Sequence, residues 1–352
     1  MKESELHEGR ARIKVVGCGG GGGNAVNRMI SKALKVQFIA VNTDKQALER
    51  CQADVKVQMG SKLTRGLGAG GDWTRGRDAA DESRTELSAV VQESDMVFIT
   101  AGMGGGTGTG SAAIVAELAK EAGALTIGVV TRPFAFEGRI RNDTAEEGIK
   151  AFRGQVDALI VIPNDRLAQV ANSKTTLEEA FRMADDVLRQ GVQGISDLVT
   201  NPGVINLDFA DVKAIMENAG EALMGIGHGV GDTRAEDAAK QAVSSPLLET
   251  SIDGAKGILF NITAGKDITL QEVQKAADII RAAADPGANI FFGVVRDDSM
   301  QDEIKITVIA TGFTGKSHAD AKPEVKRTFD RPEFGTEDLE DINIPAFLRN
   351  RM

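Results

Sequence analysis

Apolar residues in the first half of the chain fall into short β-rich runs: Ile13–Val16, Phe38–Val41, Met96–Thr100, Thr126–Val130 and Ala158–Ile162. Longer segments between them, such as 25–34 and 110–122, carry apolar residues at helical spacing. Strands alternating with amphipathic helices predict an α/β fold, with a doubly wound, mostly parallel sheet covered on both faces. Ligands of such sheets sit beyond the carboxyl ends of the strands, so chemistry is sought in the residues that follow each run. From Thr176 to about Thr200 the pattern becomes one long central helix, with Leu177, Phe181, Ala184, Leu188 and Val192 recurring. Asn201-Pro202-Gly203 ends it. Residues 205–313 hold two helical stretches, 233–243 and 270–284, and three strand candidates, 257–263, 290–295 and 304–311. They read as a separate C-terminal α+β domain.

After Gly315 the apolar pattern collapses, and 316–336 mix charges with two prolines and a glycine, the composition of a flexible linker. The stretch LEDINIPAFL at 339–348 is apolar again, and an apolar patch beyond a linker reads as a docking peptide. The expected organisation is an extension at 1–10, domains at 11–175 and 201–314 joined by the helix at 176–200, a linker at 315–336 and a peptide at 337–352.

Composition narrows the classes. No run approaches the roughly 18 apolar residues of a membrane span, and the polar opening MKESELHEGR has no signal-peptide core. Cys18 and Cys51 form no CxxC pair and three His are scattered, so a disulfide scaffold or a resident metal centre is not expected and a cytoplasmic setting is. The net charge of −10 and 4% aromatic content disfavour nucleic acid as a partner. Glycine stands out: 40 residues beside 8 prolines, against an ordinary usage of about 7%. Glycine excess without proline suggests backbone lying close to something.

Three glycine clusters compete. The first, Gly17-Cys18-Gly19-Gly20-Gly21-Gly22-Gly23-Asn24, follows one strand and precedes a helix expected over 25–34. It satisfies G-x-G-x-x-G, with Asp44 ending the next strand, which is the dinucleotide fingerprint in its proper context. Such a loop brings an anion to the orphan N–H groups of a helix start. The second, Gly102-Met103-Gly104-Gly105-Gly106-Thr107-Gly108-Thr109-Gly110, is another anion nest, with two hydroxyls able to donate to phosphate oxygens. A dehydrogenase has no use for two such loops; a nucleoside triphosphate does. The third, Ala310–Ser317, imitates a P-loop but runs into polar, proline-interrupted sequence rather than a helix, so it is set aside.

GGGTGTG at 104–110 resembles the signature of the tubulin/FtsZ superfamily. Similar to the FtsZ branch are also GGGGGNAVNRMI at 19–30, AVNTD at 40–44, LTRGLGAG at 63–70, TRPFAFEG at 131–138, VIPNDRL at 161–167, NPGVINLDFADV at 201–212, SSPLLE at 244–249 and INIPAFLR at 342–349. The likeness spans nearly the whole chain. It departs at Cys18, where valine is common, at GGDWTRG (70–76), at Asn343, where Asp is common, and in a short linker.

The resemblance implies a GTPase that polymerises head to tail into the bacterial cytokinetic ring, with GTP or GDP bound and Mg²⁺ held mainly through the phosphates. Its implied phosphate site is Gly20, Gly21, Gly22, Gly23 and Asn24 together with Gly104, Gly105, Gly106, Thr107, Gly108, Thr109 and Gly110. Glu137 is placed on the ribose and Arg141 near the phosphates, although an i, i+4 Glu/Arg pair is also an ordinary surface ion pair. Asn164, at a strand's carboxyl end, and Asp185 or Asp186 are the candidates for reading guanine. A carboxylate accepts both guanine N–H groups, and which acid does so stays open. Phe181, one turn before Asp185, either stacks on the base or belongs to the core. Asn206, Asp208 and Asp211 are implied to enter the neighbour's site and orient the attacking water, while Asp208 also suits a helix N-cap. Ile342, Ile344, Pro345, Phe347, Leu348 and Arg349 are implied to bind a membrane-tethered adaptor at the mid-cell division ring, with no direct membrane insertion.

Overall fold

The computed structural model describes residues 11–30, 36–170, 174–200, 203–205, 207–245, 248 and 251–313. Asn206, the linker and the terminal peptide lie outside them. The five apolar runs are strands β1 (Ile13–Cys18), β2 (Gln37–Asn42), β4 (Met96–Gly102), β5 (Leu125–Arg132) and β6 (Ala158–Pro163). A short additional strand, β3 (Val55–Gln58), lies outside β2. All pair in parallel in the order β3-β2-β1-β4-β5-β6.

Adjacent residues of one strand serve different cores. Val15, Phe98 and Ile127 face a cluster containing Ala25, Val26 and Met29 of helix α1 (Gly19–Ile30) and Leu188, Val192 and Ile195 of the long helix α9 (Leu177–Thr200). Val16, Ile99 and Val130 face the opposite cluster. That cluster takes in α4 (Trp73–Glu82), α5 (Arg84–Val91), α6 (Thr107–Glu121) and α7 (Arg139–Arg153). Burial on both faces explains why these strands read as apolar runs rather than as alternating patterns. The shorter helices α2 (Lys45–Arg50), α3 (Ser61–Thr64) and α8 (Asn164–Val170) complete this half.

The sheet continues into the second half. β7 (Gly220–Val230) pairs with β6 in parallel through 158–160 and 220–222, then antiparallel with β10 (Glu303–Thr311). β10 pairs with β8 (Gly257–Ala264), which carries β9 (Asn289–Arg296) in parallel. Among the described residues this gives ten strands in one sheet, ordered β3-β2-β1-β4-β5-β6-β7-β10-β8-β9. Helices α11 (Arg234–Val243) and α12 (Leu270–Ala282) close a third core against the second half. Helix α10 (Phe209–Met216) packs Val212, Ile215 and Met216 into the first core together with α9, Leu259 and Ile309.

Hydrophobic patterning finds β8, β9, β10, α11 and α12 but not β7. The reason is three alternating glycines on one face. A Cβ on Gly225, Gly227 or Gly229 would lie 2.0, 1.9 and 2.0 Å from the carbonyl oxygens of Ala242, Ala238 and Arg234. Helix α11 therefore rests directly on the backbone of β7, and the apolar signal of that face comes from the helix.

Candidate functional site

The two glycine clusters are less loop-like than expected. α1 begins at Gly19, so the glycines 19–23 form its first turns, and residues 31–34 of the expected helix lie outside the described residues. α6 begins at Thr107, so the second loop shrinks to 103–106. Both helices start at the carboxyl ends of neighbouring strands, β1 and β4. A Cβ on Gly19 would sit 2.7 Å from the Gly108 nitrogen, and one on Gly21 would sit 3.2 Å from the Gly102 nitrogen. Only glycine lets the two helix starts touch backbone to backbone. Gly20, Gly23 and Gly105 differ: apart from chain neighbours and their own helix backbone, no described atom comes within 4 Å of where their Cβ would be. The result is an open cradle above two adjacent helix N-termini, each with orphan N–H groups and a positive dipole end.

Hydroxyls shape the cradle. Thr109 is buried, and its Oγ1 accepts the Gly104 N–H at 2.9 Å. It therefore holds the loop's form rather than standing free at the surface. Thr107 Oγ1 lies 2.5 Å from Thr43 Oγ1. Thr43 was missed from the sequence, although it follows β2 where the strand-end rule directs attention. Asp44, the acid of the dinucleotide fingerprint, instead caps α2, accepting from the nitrogens of Gln46 and Ala47 at 2.9 and 3.1 Å.

Around the cradle, Glu137 and Arg141 straddle the α7 start rather than sharing one helix. Glu137 ends the 3-10 turn Ala135–Glu137, Gly138 intervenes, and the two side chains pair at 3.2 Å. Glu137 also accepts the Phe134 N–H at 2.9 Å. Phe181 is not core: it is 40% exposed, and its ring meets Phe134 edge-on at 5.5 Å. Phe134 in turn stacks on the exposed Phe136 at 5.0 Å. The buried stripe of α9 begins at Ala184, and Phe181 extends it to the rim.

The two adjacent acids separate. Asp185 pairs with Arg28 Nε of α1 at 2.9 Å, and burial pushes its carboxyl upward against the pull of Arg28. Burial pushes Asp186 up too, but hydrogen bonds from Arg189 at 2.8 Å and Gln190 at 2.7 Å outweigh it and leave that carboxyl below its ordinary range. Asn164 is buried at the end of β6, and its Oδ1 has no partner among the described residues. A buried orphan acceptor costs free energy unless a donor reaches it.

Asp208 and Asp211 lie elsewhere. They form a reciprocal cap on α10: Asp208 Oδ1 accepts the Asp211 N–H at 2.8 Å, and Asp211 Oδ2 accepts the Asp208 N–H at 3.2 Å. The preceding Val204 and Ile205 are tied to Val294 of β9 at 2.9 and 3.0 Å. Phe181 stands at one end of α9 and this loop follows the other. The 24 residues between Leu177 and Thr200 span about 36 Å. One chain does not bring these acids to its own cradle.

Two family models match the sequence: Tubulin/FtsZ family, GTPase domain, over residues 12–172, and FtsZ family, C-terminal domain, over 220–314. Solved structures agree. An FtsZ dimer from M. jannaschii, described as empty, is 44% identical, with 88% of this chain and 90% of that one covered at a TM-score of 0.84. A mutant FtsZ from the same organism gives 44%, 88%, 93% and 0.85. A CetZ protein from Haloferax volcanii, described as a GTPγS-bound protofilament, shares the fold at 21% identity and a TM-score of 0.72, covering 88% of this chain and 95% of that one.

Proposed function

The chain belongs to the tubulin/FtsZ family and is a GTPase that binds GTP and GDP, and from that premise we propose that it assembles head to tail and hydrolyses each GTP between two copies. The observation that carries this reading is the length of α9, about 36 Å, with Phe181 beside Phe134 near its first turn and Asp208/Asp211 following its far end in the chain. A site split across one molecule is completed by the next, and such a heterologous contact propagates into a filament. Exposed apolar residues support it at both ends: Leu67, Phe136 and Ile140 beside the cradle, Val204 and Ile205 beside the acids.

In this proposal Gly20–Gly23, Asn24 and Gly104–Gly110 hold the phosphates, with Arg141 beside them and Glu137 on the ribose. The orphan Oδ1 of Asn164 and the carboxylate of Asp185 read guanine, and Phe181 stacks on it. Asp186, engaged with Arg189 and Gln190, is left to the fold. Asp208 and Asp211, with Asn206, position the water that attacks the γ-phosphate. A carboxylate near pKa 4 is a weak base, so positioning outweighs proton abstraction. Among the described residues no cluster of three His, Cys, Asp or Glu could hold a metal. A Mg²⁺ ion would be held mainly through phosphate oxygens and neutralise their charge. Residues 11–175 act as the GTP-binding domain, and 201–314 supply the activating acids.

We extend the proposal to a division ring, tethered through the 342–349 peptide to a membrane adaptor. No helix among the described residues is long and apolar enough to cross a membrane itself. The resemblance suggested a bacterial division ring, whereas the relatives at 44% identity come from M. jannaschii.

Specific GTPase rate measured against protein concentration, alongside pelleting, tests the split site. Turnover per molecule should be negligible when dilute and rise above a threshold. Asp211→Asn keeps an oxygen for the Asp208 N–H and removes only the charge. It should assemble with GTP but turn over at least ten-fold more slowly, on the scale of other lost positioning groups. A specific rate that is flat with concentration would sink the two-copy site.

A further inference from the structure

Thr43 and Thr107 each carry one hydroxyl, and the two oxygens lie 2.5 Å apart although the residues are 64 positions apart in the chain. Thr43 directly follows β2 and is wholly buried. Thr107 opens α6 and is half-buried. The contact therefore joins the end of β2 to the helix start that forms half the cradle.

Two hydroxyls bring two protons to one contact. Among the described residues, neither hydroxyl oxygen has a hydrogen-bond partner besides the other. One proton serves the pair and the second is left over. If Thr107 donated to Thr43, the leftover proton would belong to Thr43, sealed from water with no acceptor, and an unmet buried donor is costly. If Thr43 donates, the leftover proton belongs to Thr107, which is partly exposed and can meet an acceptor from outside. Accepting from Thr43 also polarises the Thr107 O–H and strengthens it as a donor.

Each residue is also held by bonds that do not involve this pair. The Thr43 carbonyl oxygen accepts the Gly68 N–H at 3.2 Å and the Thr64 hydroxyl at 3.3 Å. The Thr107 carbonyl oxygen accepts the Ser111 hydroxyl at 2.7 Å, one turn along α6. A Cβ on Gly19, the first residue of α1, would lie 3.3 Å from Thr107 Cβ. Thr107 thus stands at the seam where the two helix starts touch, and orphan N–H groups there favour an anion. Backbone bonds fix where Thr107 stands; the Thr43 hydroxyl settles which way its proton points.

We propose that Thr43 is a positioning residue for phosphate binding: its buried hydroxyl donates to Thr107, so that the Thr107 proton is turned outward to a phosphate oxygen of the nucleotide. Thr43 itself touches no ligand. The proposal rests on the GTPase reading and adds to it a buried donor behind the cradle, at a strand end that carries no glycine cluster.

Affinity for a non-hydrolysable GTP analogue, measured on dilute protein, tests this through a double-mutant cycle. Thr43→Val keeps the side chain's shape and removes the donor. It should weaken the analogue about five-fold, as one lost hydrogen bond does. Thr43→Ser keeps the hydroxyl and should bind within about two-fold of wild type. In a Thr107→Val background no hydroxyl remains to be turned, so adding Thr43→Val should cost no further affinity. A threonine that matters only for packing would cost the same in both backgrounds, and that result overturns the proposal. So does a Thr43→Val or a Thr107→Val protein that binds the analogue as wild type does. Thr43→Ala and Thr107→Ala give the same cycle where a valine variant does not fold. In all these outcomes wild-type protein binds the analogue; failure of wild type to bind it would instead remove the GTPase reading.

Discussion

Glycine performs opposite tasks at the cradle and in β7. In β7, Gly225, Gly227 and Gly229 are filled against: carbonyl oxygens of α11 occupy the space a side chain would need, at 1.9–2.0 Å from the Cβ position. At the cradle, nothing described outside their own chain neighbours and helix turns comes within 4 Å of the Cβ positions of Gly20, Gly23 and Gly105. The first set lets protein approach protein; the second leaves room for a ligand. Glycine count reports neither, and what surrounds the absent side chain separates them. Other cradle glycines belong with the packing set, since Gly19 and Gly22 are crowded by Gly108 and by the Thr100 oxygen at 2.7 and 2.4 Å.

The comparison breaks most visibly at Gly227. Gly227→Ala places a methyl group 1.9 Å from a helix carbonyl oxygen and 2.7 Å from the Ala242 nitrogen, both backbone atoms that cannot swing aside. α11 must lift from β7, and overpacking of this kind should cost roughly 3 kcal/mol. Urea unfolding checks it, and nucleotide affinity of the protein that remains folded should match wild type. A stability within experimental error of wild type would show that α11 is not seated on that strand.

Gly105→Ala is the mirror case. Its Cβ meets nothing among the described residues and its φ is not left-handed, so the unfolding midpoint should hold within a degree or so. GTP affinity should fall about ten-fold, near 1.4 kcal/mol, because the methyl group enters the space kept for phosphate. Equilibrium binding at dilute protein separates this from assembly. A variant that loses stability but binds GTP normally would move Gly105 into the packing set.

Much of the fold was legible because its strands are buried on both faces and its helices are amphipathic, which are signals of side-chain pattern. β7 was not, because its α11-facing pattern consists of missing side chains. The site was legible where backbone geometry dictates residue type, as in the glycines at the ends of β1 and β4. It was least legible where a side chain's neighbours decide its role. Asp185 and Asp186 are chemically identical, and only Arg28 on one side and Arg189 with Gln190 on the other distinguish them. Asp44 fits a ribose-binding rule and caps a helix instead.

The smallest effect tests the packing end through its charge. Asp197 lies on α9 near Lys305 of β10 and Arg189, with Gln193 as a hydrogen-bond donor and Asp297 the like charge. Burial pushes its carboxyl up to about 6 from 3.8, more than Gln193, Lys305 and Arg189 pull it down. A carboxyl whose folded pKa is raised favours folding most when protonated, so its contribution is fully present below the unfolded value and is lost as pH rises through the folded one. Between pH values of about 5.5 and 7.5 wild type should therefore lose about 1 kcal/mol relative to Asp197→Asn, which does not titrate. The cradle contains no part of this group, so GTP affinity measured on dilute protein should keep the same wild-type-to-variant ratio at both pH values. Urea unfolding of the two proteins at each pH reads the difference. A gap between them that stays constant with pH would mean that Asp197 does not change its charge in this window and would overturn its titration near 6.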